Sequence, residues 1–281
     1  VFSPLEKPMS RLLPLLCCLF LALPAHAGTY LQRLLDKPVP GGVAVVPIPG
    51  DAAPRVRYQG KPVLVVKDGN GWVAIVGIPL GTAAGRQPLE VAGAAPLAVT
   101  VGSRHYAEQR ITLKNQRQVT PNPEDLKRFE RELAEQQAAY RLFSPNQPSN
   151  LLLEKPVDGP LSSPFGLRRF FNGQERNPHS GLDFAVPAGT SVKAPAAGKV
   201  VLVGDYFFNG KTVFVDHGQG LISMFCHLSR IDVQVGQEVA RGGVVGRVGS
   251  TGRATGPHLH WNVSLNDVRV DPSIFIGAFK P

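Results

Sequence analysis

Short apolar runs broken by Gly- and Pro-containing turns cover most of this chain, and alternation with period two recurs more often than helical spacing. Between residues 28 and 115, the runs Val43-Ala44-Val45, Arg55-Val56-Arg57-Tyr58, Pro62-Val63-Leu64-Val65-Val66, Trp72-Val73-Ala74-Ile75-Val76, Leu89-Glu90-Val91, Leu97-Ala98-Val99-Thr100-Val101 and Gln109-Arg110-Ile111-Thr112-Leu113 read as strands. Asp68-Gly69-Asn70-Gly71 joins two of them, and Gly and Asn tolerate the positive φ of a tight hairpin. Their number and spacing predict a β-sandwich of immunoglobulin-like size. No cluster of catalytic residue types falls in it, and its lone His105 reads as a surface residue.

The pattern then changes period. Asn122 can cap a helix, Pro123 suits its first turn, and Glu124 and Asp125 complement its dipole. Leu126, Phe129, Leu133 and Tyr140 fall at helical spacing, which predicts one apolar face packed between two domains. The helix ends before Pro145, and residues 144–150 read as a linker. Residues 151–281 return to β patterning. Strand candidates lie at 191–194, 199–203, 212–216, 221–225, 244–248 and 258–263, with turns at Gly189, Gly198, Gly210, Gly218, Gly236 and Gly242-Gly243. The expected architecture is mainly β: an N-terminal immunoglobulin-like sandwich over 28–115, a linking α-helix and linker over 116–150, and a C-terminal antiparallel sheet over 151–281.

Residues 1–27 read as a signal peptide rather than as part of the fold. A basic start at Met9-Ser10-Arg11 precedes an apolar run from Leu12 to Leu23, and Ala25-His26-Ala27 matches the small-x-small cleavage pattern. The run is short for a membrane span, and nothing after it is long and apolar enough to be one. Beyond residue 27 only Cys226 remains, so an exported chain of this composition has no internal disulfide. Cys226 sits in an apolar run and reads as buried packing. A net charge of +9 draws the protein to anionic surfaces such as cell-wall polymers. The basic residues are not interleaved with aromatics, which argues against a nucleic-acid partner.

Five of the seven histidines lie in the C-terminal region. His258 and His260 are one residue apart on a strand candidate and so share a face. His179 and Asp183 sit in a segment where Pro178 and Gly181 predict a loop entering a strand. His179, Asp183 and His260 form a set of two imidazoles and one carboxylate that suits Zn2+ and leaves a fourth position for water. There is no His-Glu-x-x-His motif, so His227 and His258 remain as the groups able to move a proton near neutral pH. His217, before the turn at Gly218, reads as structural.

These residues carry a family resemblance. Residues 155–273 resemble the lysostaphin-type (LytM, M23) zinc metallopeptidases, which act mainly on bacterial cell-wall peptides. The matching motifs are Ser163-Pro164-Phe165-Gly166-Leu167-Arg168, His179-Ser180-Gly181-Leu182-Asp183, Pro187-Ala188-Gly189-Thr190-Ser191-Val192, Asp216-His217-Gly218, Cys226-His227-Leu228, Gly249-Ser250-Thr251-Gly252 and Gly256-Pro257-His258-Leu259-His260. The resemblance implies His179, Asp183 and His260 as zinc ligands, His227 and His258 as catalytic residues, and peptidoglycan as substrate. Phe225 stands where the family often has Tyr. The expected function is that of an exported zinc endopeptidase of the periplasm. A catalytically silent regulator of wall hydrolases is the alternative. The stretches 235–239 and 242–246 also look like the half-barrel repeat of biotin or lipoyl carriers, but Lys199 and Lys211 lack the flanking Met such a carrier lysine often has.

Overall fold

The structure, a computed structural model, describes residues 28–280, and the leader read at 1–27 lies outside them. Two antiparallel sheets form the N-terminal sandwich. One orders Val43–Ile48, Gly71–Gly77 and Leu64–Asp68; the other orders Lys61–Pro62, Val56–Tyr58, Gly85–Val91 and Leu97–Val101. Ala44, Val65, Ala74 and Val76 from the first meet Val56, Tyr58, Leu89 and Val99 from the second. The expected hairpin closes at Asp68 paired with Gly71.

The first sheet is buried on both faces. Its other side chains, Val43, Val45, Leu64, Val73 and Ile75, join Val263, Leu265 and Val270 of the C-terminal region in one core. This is why residues 63–66 and 73–76 are unbroken apolar runs rather than alternating ones, as strands covered on both sides are. Asn266 fastens the contact, accepting from Gly77 N–H at 2.7 Å and donating to Gly77 C=O at 3.2 Å.

The strand expected at 109–113 does not complete the sandwich. Glu108–Ile111 instead pairs in parallel with Arg168–Phe171, which pairs in turn with Gln174–Glu175. Its residues are all exposed or half-buried, so it has no apolar face to give the sandwich and serves at the edge of the C-terminal region.

The C-terminal region is built on a large antiparallel sheet. Its path runs Glu238–Val239, Gly198–Tyr206, Gly210–Gly218, Leu221–Ile231, Leu259–Leu265, Leu182–Phe184 and Leu161–Ser163, with Ser191–Lys193, Val244–Val248 and Val268–Val270 attached. Leu259–Leu265 is central and every residue in it is buried. Leu259, Trp261, Val263 and Leu265 face the core, which leaves His260, Asn262 and Ser264 on the opposite side.

That opposite side is partly covered by the helix Pro123–Tyr140, which Asn122 caps by accepting from Asp125 N–H at 2.8 Å. Of the expected stripe, Phe129 and Tyr140 pack, and Leu126 and Leu133 do not. Leu126 and Leu133 are exposed, whereas Asp125, Gln136, Ala139 and Tyr140 are buried. Ala139 and Tyr140 pack on Phe214, Ile222, Met224 and Cys226, and Phe129 meets the edge of Phe208. Polar anchors hold this rotation. Glu132 accepts from Phe207 N–H and Gln136 accepts from Asn209. The helix therefore lies on the large sheet rather than between two domains. Cys226 is buried beneath it as a free thiol.

Candidate metal centre

Asp183 and His260 are direct cross-strand partners between Leu182–Phe184 and Leu259–Leu265, so the pairing register alone sets them side by side. His179 comes from the preceding loop, whose backbone is tied down by Gly166 N–H to His179 C=O and His179 N–H to Leu167 C=O. Gly181 lets this loop close. A Cβ there would lie 2.3 Å from the Trp261 carbonyl oxygen and 2.9 Å from His260 Nε2.

Three donor atoms converge as a result. His179 Nε2 lies 2.9 Å from Asp183 Oδ1, His260 Nδ1 lies 2.8 Å from the same oxygen, and the two nitrogens are 3.0 Å apart. All three residues are buried. The chemistry of this set fits a divalent cation. His179 Nδ1 donates to Pro164 C=O at 2.7 Å, so in the neutral ring Nε2 carries a lone pair aimed at a carboxylate oxygen. Two lone pairs face each other at hydrogen-bond distance unless a proton or a cation sits with them. Tetrahedral zinc ligated at about 2.0–2.2 Å holds its ligand atoms roughly 3.4 Å apart, a few tenths of an ångström more than this triangle measures.

Charge reinforces the set. Burial works against the Asp183 carboxylate, but the contacts of His179 and His260 with it outweigh that and hold the group well below the usual carboxylate range. Burial pushes His260 down to about 4, against the pull of Asp183, so the ring is neutral at pH 7 and free to ligate. The second oxygen, Asp183 Oδ2, accepts from Arg169 at 2.9 Å. Arg169 is itself oriented by Gln109 at 3.0 Å, across the parallel strand pair that ties residues 108–111 to this region.

The two remaining imidazoles stand at the rim. His227 reaches it through a β-bulge. Lys211 pairs with Leu228 and Val213 with Phe225, so Cys226 and His227 together oppose Thr212. His227 adopts φ +62°, a left-handed conformation uncommon for a non-glycine residue. Strict alternation would put His227 on the core side with Phe225. The bulge turns it onto the side of Cys226 and His260 and returns Leu228 to the core. Its ring centroid is 4.8 Å from that of His258 and 6.1 Å from that of His260. Each rim histidine is oriented from behind, His227 Nδ1 by Thr251 C=O at 2.8 Å and His258 Nδ1 by Gly256 C=O at 2.9 Å. Both therefore keep Nε2 for a reacting group, and His258 Nε2 lies 4.0 Å from Asp183 Oδ1. Burial, with His258 and His260 nearby, pushes His227 down to about 3.

A cleft of about 310 Å³ opens on Asp183, His227 and His258. Gln109, Ile111 and Leu113 from the N-terminal segment form part of its wall, with Arg169 and Arg253. The histidines kept out of the site have ordinary roles. His217 is buried between Ala197 C=O and Ser223 Oγ, both at 2.9 Å, and His105 is exposed. Sequence reasoning missed Arg169, Arg253 and the bulge. No local motif marks any of them, because each depends on pairings between distant strands.

A model of peptidase family M23 matches residues 177–272, and a model of the M23 N-terminal domain matches residues 36–104. A crystallised protein from Pseudomonas aeruginosa assigned to peptidase M23 is 64% identical, superposes with a TM-score of 0.78, and is covered over 100% of its length by 89% of this chain. The chain belongs to peptidase family M23. The M23 catalytic match contains all five histidine and aspartate positions of the site. Among curated relatives, the peptidoglycan DD-endopeptidase ShyA of Vibrio cholerae is 42% identical over 38% of this chain, and the DD-carboxypeptidase/endopeptidase Mpg of Neisseria meningitidis is 40% identical over 40% of it. This M23 chain spans about a quarter of the length of those relatives, 26% of each.

Proposed function

We propose that this chain is a zinc-dependent endopeptidase that hydrolyses peptide bonds of bacterial peptidoglycan, with residues 151–281 carrying the chemistry and the leader at 1–27 directing export to the periplasm. The observation that carries the reading is the convergence of His179 Nε2, Asp183 Oδ1 and His260 Nδ1 at 2.8–3.0 Å beside two imidazoles with free Nε2 atoms. The names of the relatives ShyA and Mpg support the substrate class.

A divalent ion held by two neutral imidazoles and one carboxylate keeps a net charge of about +1, polarises a carbonyl and makes water acidic near neutral pH. The protein supplies the rest. A peptide lies in the cleft with its scissile carbonyl toward Asp183 and the rim histidines. His227, kept neutral by burial, accepts a hydrogen bond from the attacking water at Nε2 and fixes its orientation. His258, nearer the solvent, takes the proton at Nε2 and returns it to the leaving nitrogen. The test is digestion of purified sacculi by the zinc-loaded chain, with products identified by mass. Newly freed peptide termini that vanish with a chelator are expected, and undiminished cleavage in chelator would refute the reading.

Arg169 gives a milder prediction. Arg169→Met removes the partner of Asp183 Oδ2 and is expected to weaken zinc affinity about 10–100-fold, as loss of an outer partner of a metal ligand does. Competition with a chromophoric chelator measures it, and wild-type affinity in the variant would deny Arg169 this role.

A further inference from the structure

Arg253 is a cation in the cleft without an anion. Its guanidinium lies 4.7 Å from the ring centre of Phe171 and 4.3 Å from that of Phe208. Aromatic contacts of this kind satisfy the faces of a guanidinium and hold its plane. They leave its five N–H donors, which lie in that plane, unused. Among the described residues no carboxylate pairs with Arg253 and no acceptor takes a hydrogen bond from its side chain. The neighbouring arginines differ. Arg169 is committed to Asp183 and Gln109, and Arg176 to Val119 C=O and Gln174.

The setting makes the missing anion costly. Arg253 lines the same cleft as Asp183, His227 and His258. Burial, helped by Arg169 and Arg176, pulls its pKa down to about 10, which leaves it charged at neutral pH. The support is rigid: Phe208 is wedged between Phe129 and Phe207, and Arg253 N–H is anchored to Phe208 C=O at 2.8 Å. A held, partly desolvated fork of donors is the arrangement that recognises a carboxylate in two-point fashion.

We propose that Arg253 is a specificity-determining residue that binds a free carboxylate of the peptide close to its scissile bond, so that the cleft takes carboxylate-bearing peptides in preference to amidated ones. This rests on the peptidase reading above and adds a substrate feature to it. The carboxylate fills the in-plane position that no protein group occupies, and the peptide is thereby drawn toward the rim histidines.

The test uses acetyl-D-alanyl-D-alanine and its C-terminal amide with the full chain, by calorimetric titration and by hydrolysis. The wild type is expected to bind the carboxylate about tenfold or more tightly than the amide, the scale of one charge-assisted hydrogen-bond pair. Arg253→Gln is expected to erase that preference, with the loss falling on KM rather than kcat. Should the Gln variant fail to fold, Arg253→Lys decides, since it keeps the charge but not the fork and must lower the preference. No preference in the wild type, including no binding of either peptide, overturns the proposal, as does an unchanged preference in the variants. Preferential binding with sacculi left uncut would sink the peptidase reading alone, and cleavage without preference would sink this one alone.

Discussion

Replacing His260 with Ala is expected to leave the chain unable to retain zinc and unable to cleave sacculi above background. His260 supplies one of the three converging donors, and the two left behind cannot hold the ion against water. The loss should be local. His260 faces away from the core, and its strand neighbours Trp261 and Leu259 keep their packing. Elemental analysis should fall from about one zinc per chain to none, the occupancy a single site of this kind implies. Thermal melting separates loss of metal from loss of fold. Zinc at about 100 times its Kd should stabilise the wild type by about 2.7 kcal/mol and His260→Ala by nothing. In chelator the variant should still melt cooperatively, and what difference remains from the wild type should depend on pH. The sign in acid follows from His260 itself. The unfolded chain takes its proton near 6.5, whereas the folded ring holds out to about 4. Its contribution to stability is therefore full above 6.5 and is lost as pH falls toward 4. A His260→Ala chain that cleaves sacculi at the wild-type rate would remove the basis for the proposed chemistry.

Much of this site is legible in the sequence because its members sit in short local patterns. The loop ending at Gly181 and the strand residue His260 each declare themselves, and the register that pairs Asp183 with His260 does the rest. The cap at Asn122 and the hairpin at Gly69-Asn70 are equally local, since one side chain or one backbone angle decides each. What could not be read depends on partners far away in the chain. Ile111 and Leu113 alternate with polar residues as in a sandwich strand, yet the strand that forms, Glu108–Ile111, has Arg168–Phe171 as its neighbour, about sixty residues on. The helix shows Leu126 and Leu133 as an apolar stripe, but the bonds from Glu132 and Gln136 to the sheet edge rotate it away. Continuous apolar runs at 63–66 and 73–76 do carry a signal of burial on both faces. It is visible only once the second covering surface, the strand Leu259–Leu265 and its neighbours, is known.

The bulge at His227 is the part of the site least visible in sequence, and it leads to the second large expected effect. His258→Ala and His227→Asn should each lower kcat by about 10²–10⁴-fold, the range for losing a positioned acid–base group, while zinc content stays at the wild-type level. Asn is the informative replacement at 227 because it tolerates the left-handed backbone that this position requires. A β-branched residue there would add strain and confuse loss of chemistry with loss of fold. Neither ring belongs to the converging triad, so metal loss does not explain the effect. Neither lies at the far end of the cleft, so KM should move less than kcat. Removing His227, which burial holds neutral down to about 3, should lower kcat alike at every pH near neutrality. If His258→Ala keeps the wild-type rate, the proton travels by another group, and the free Nε2 at the rim is a matter of packing.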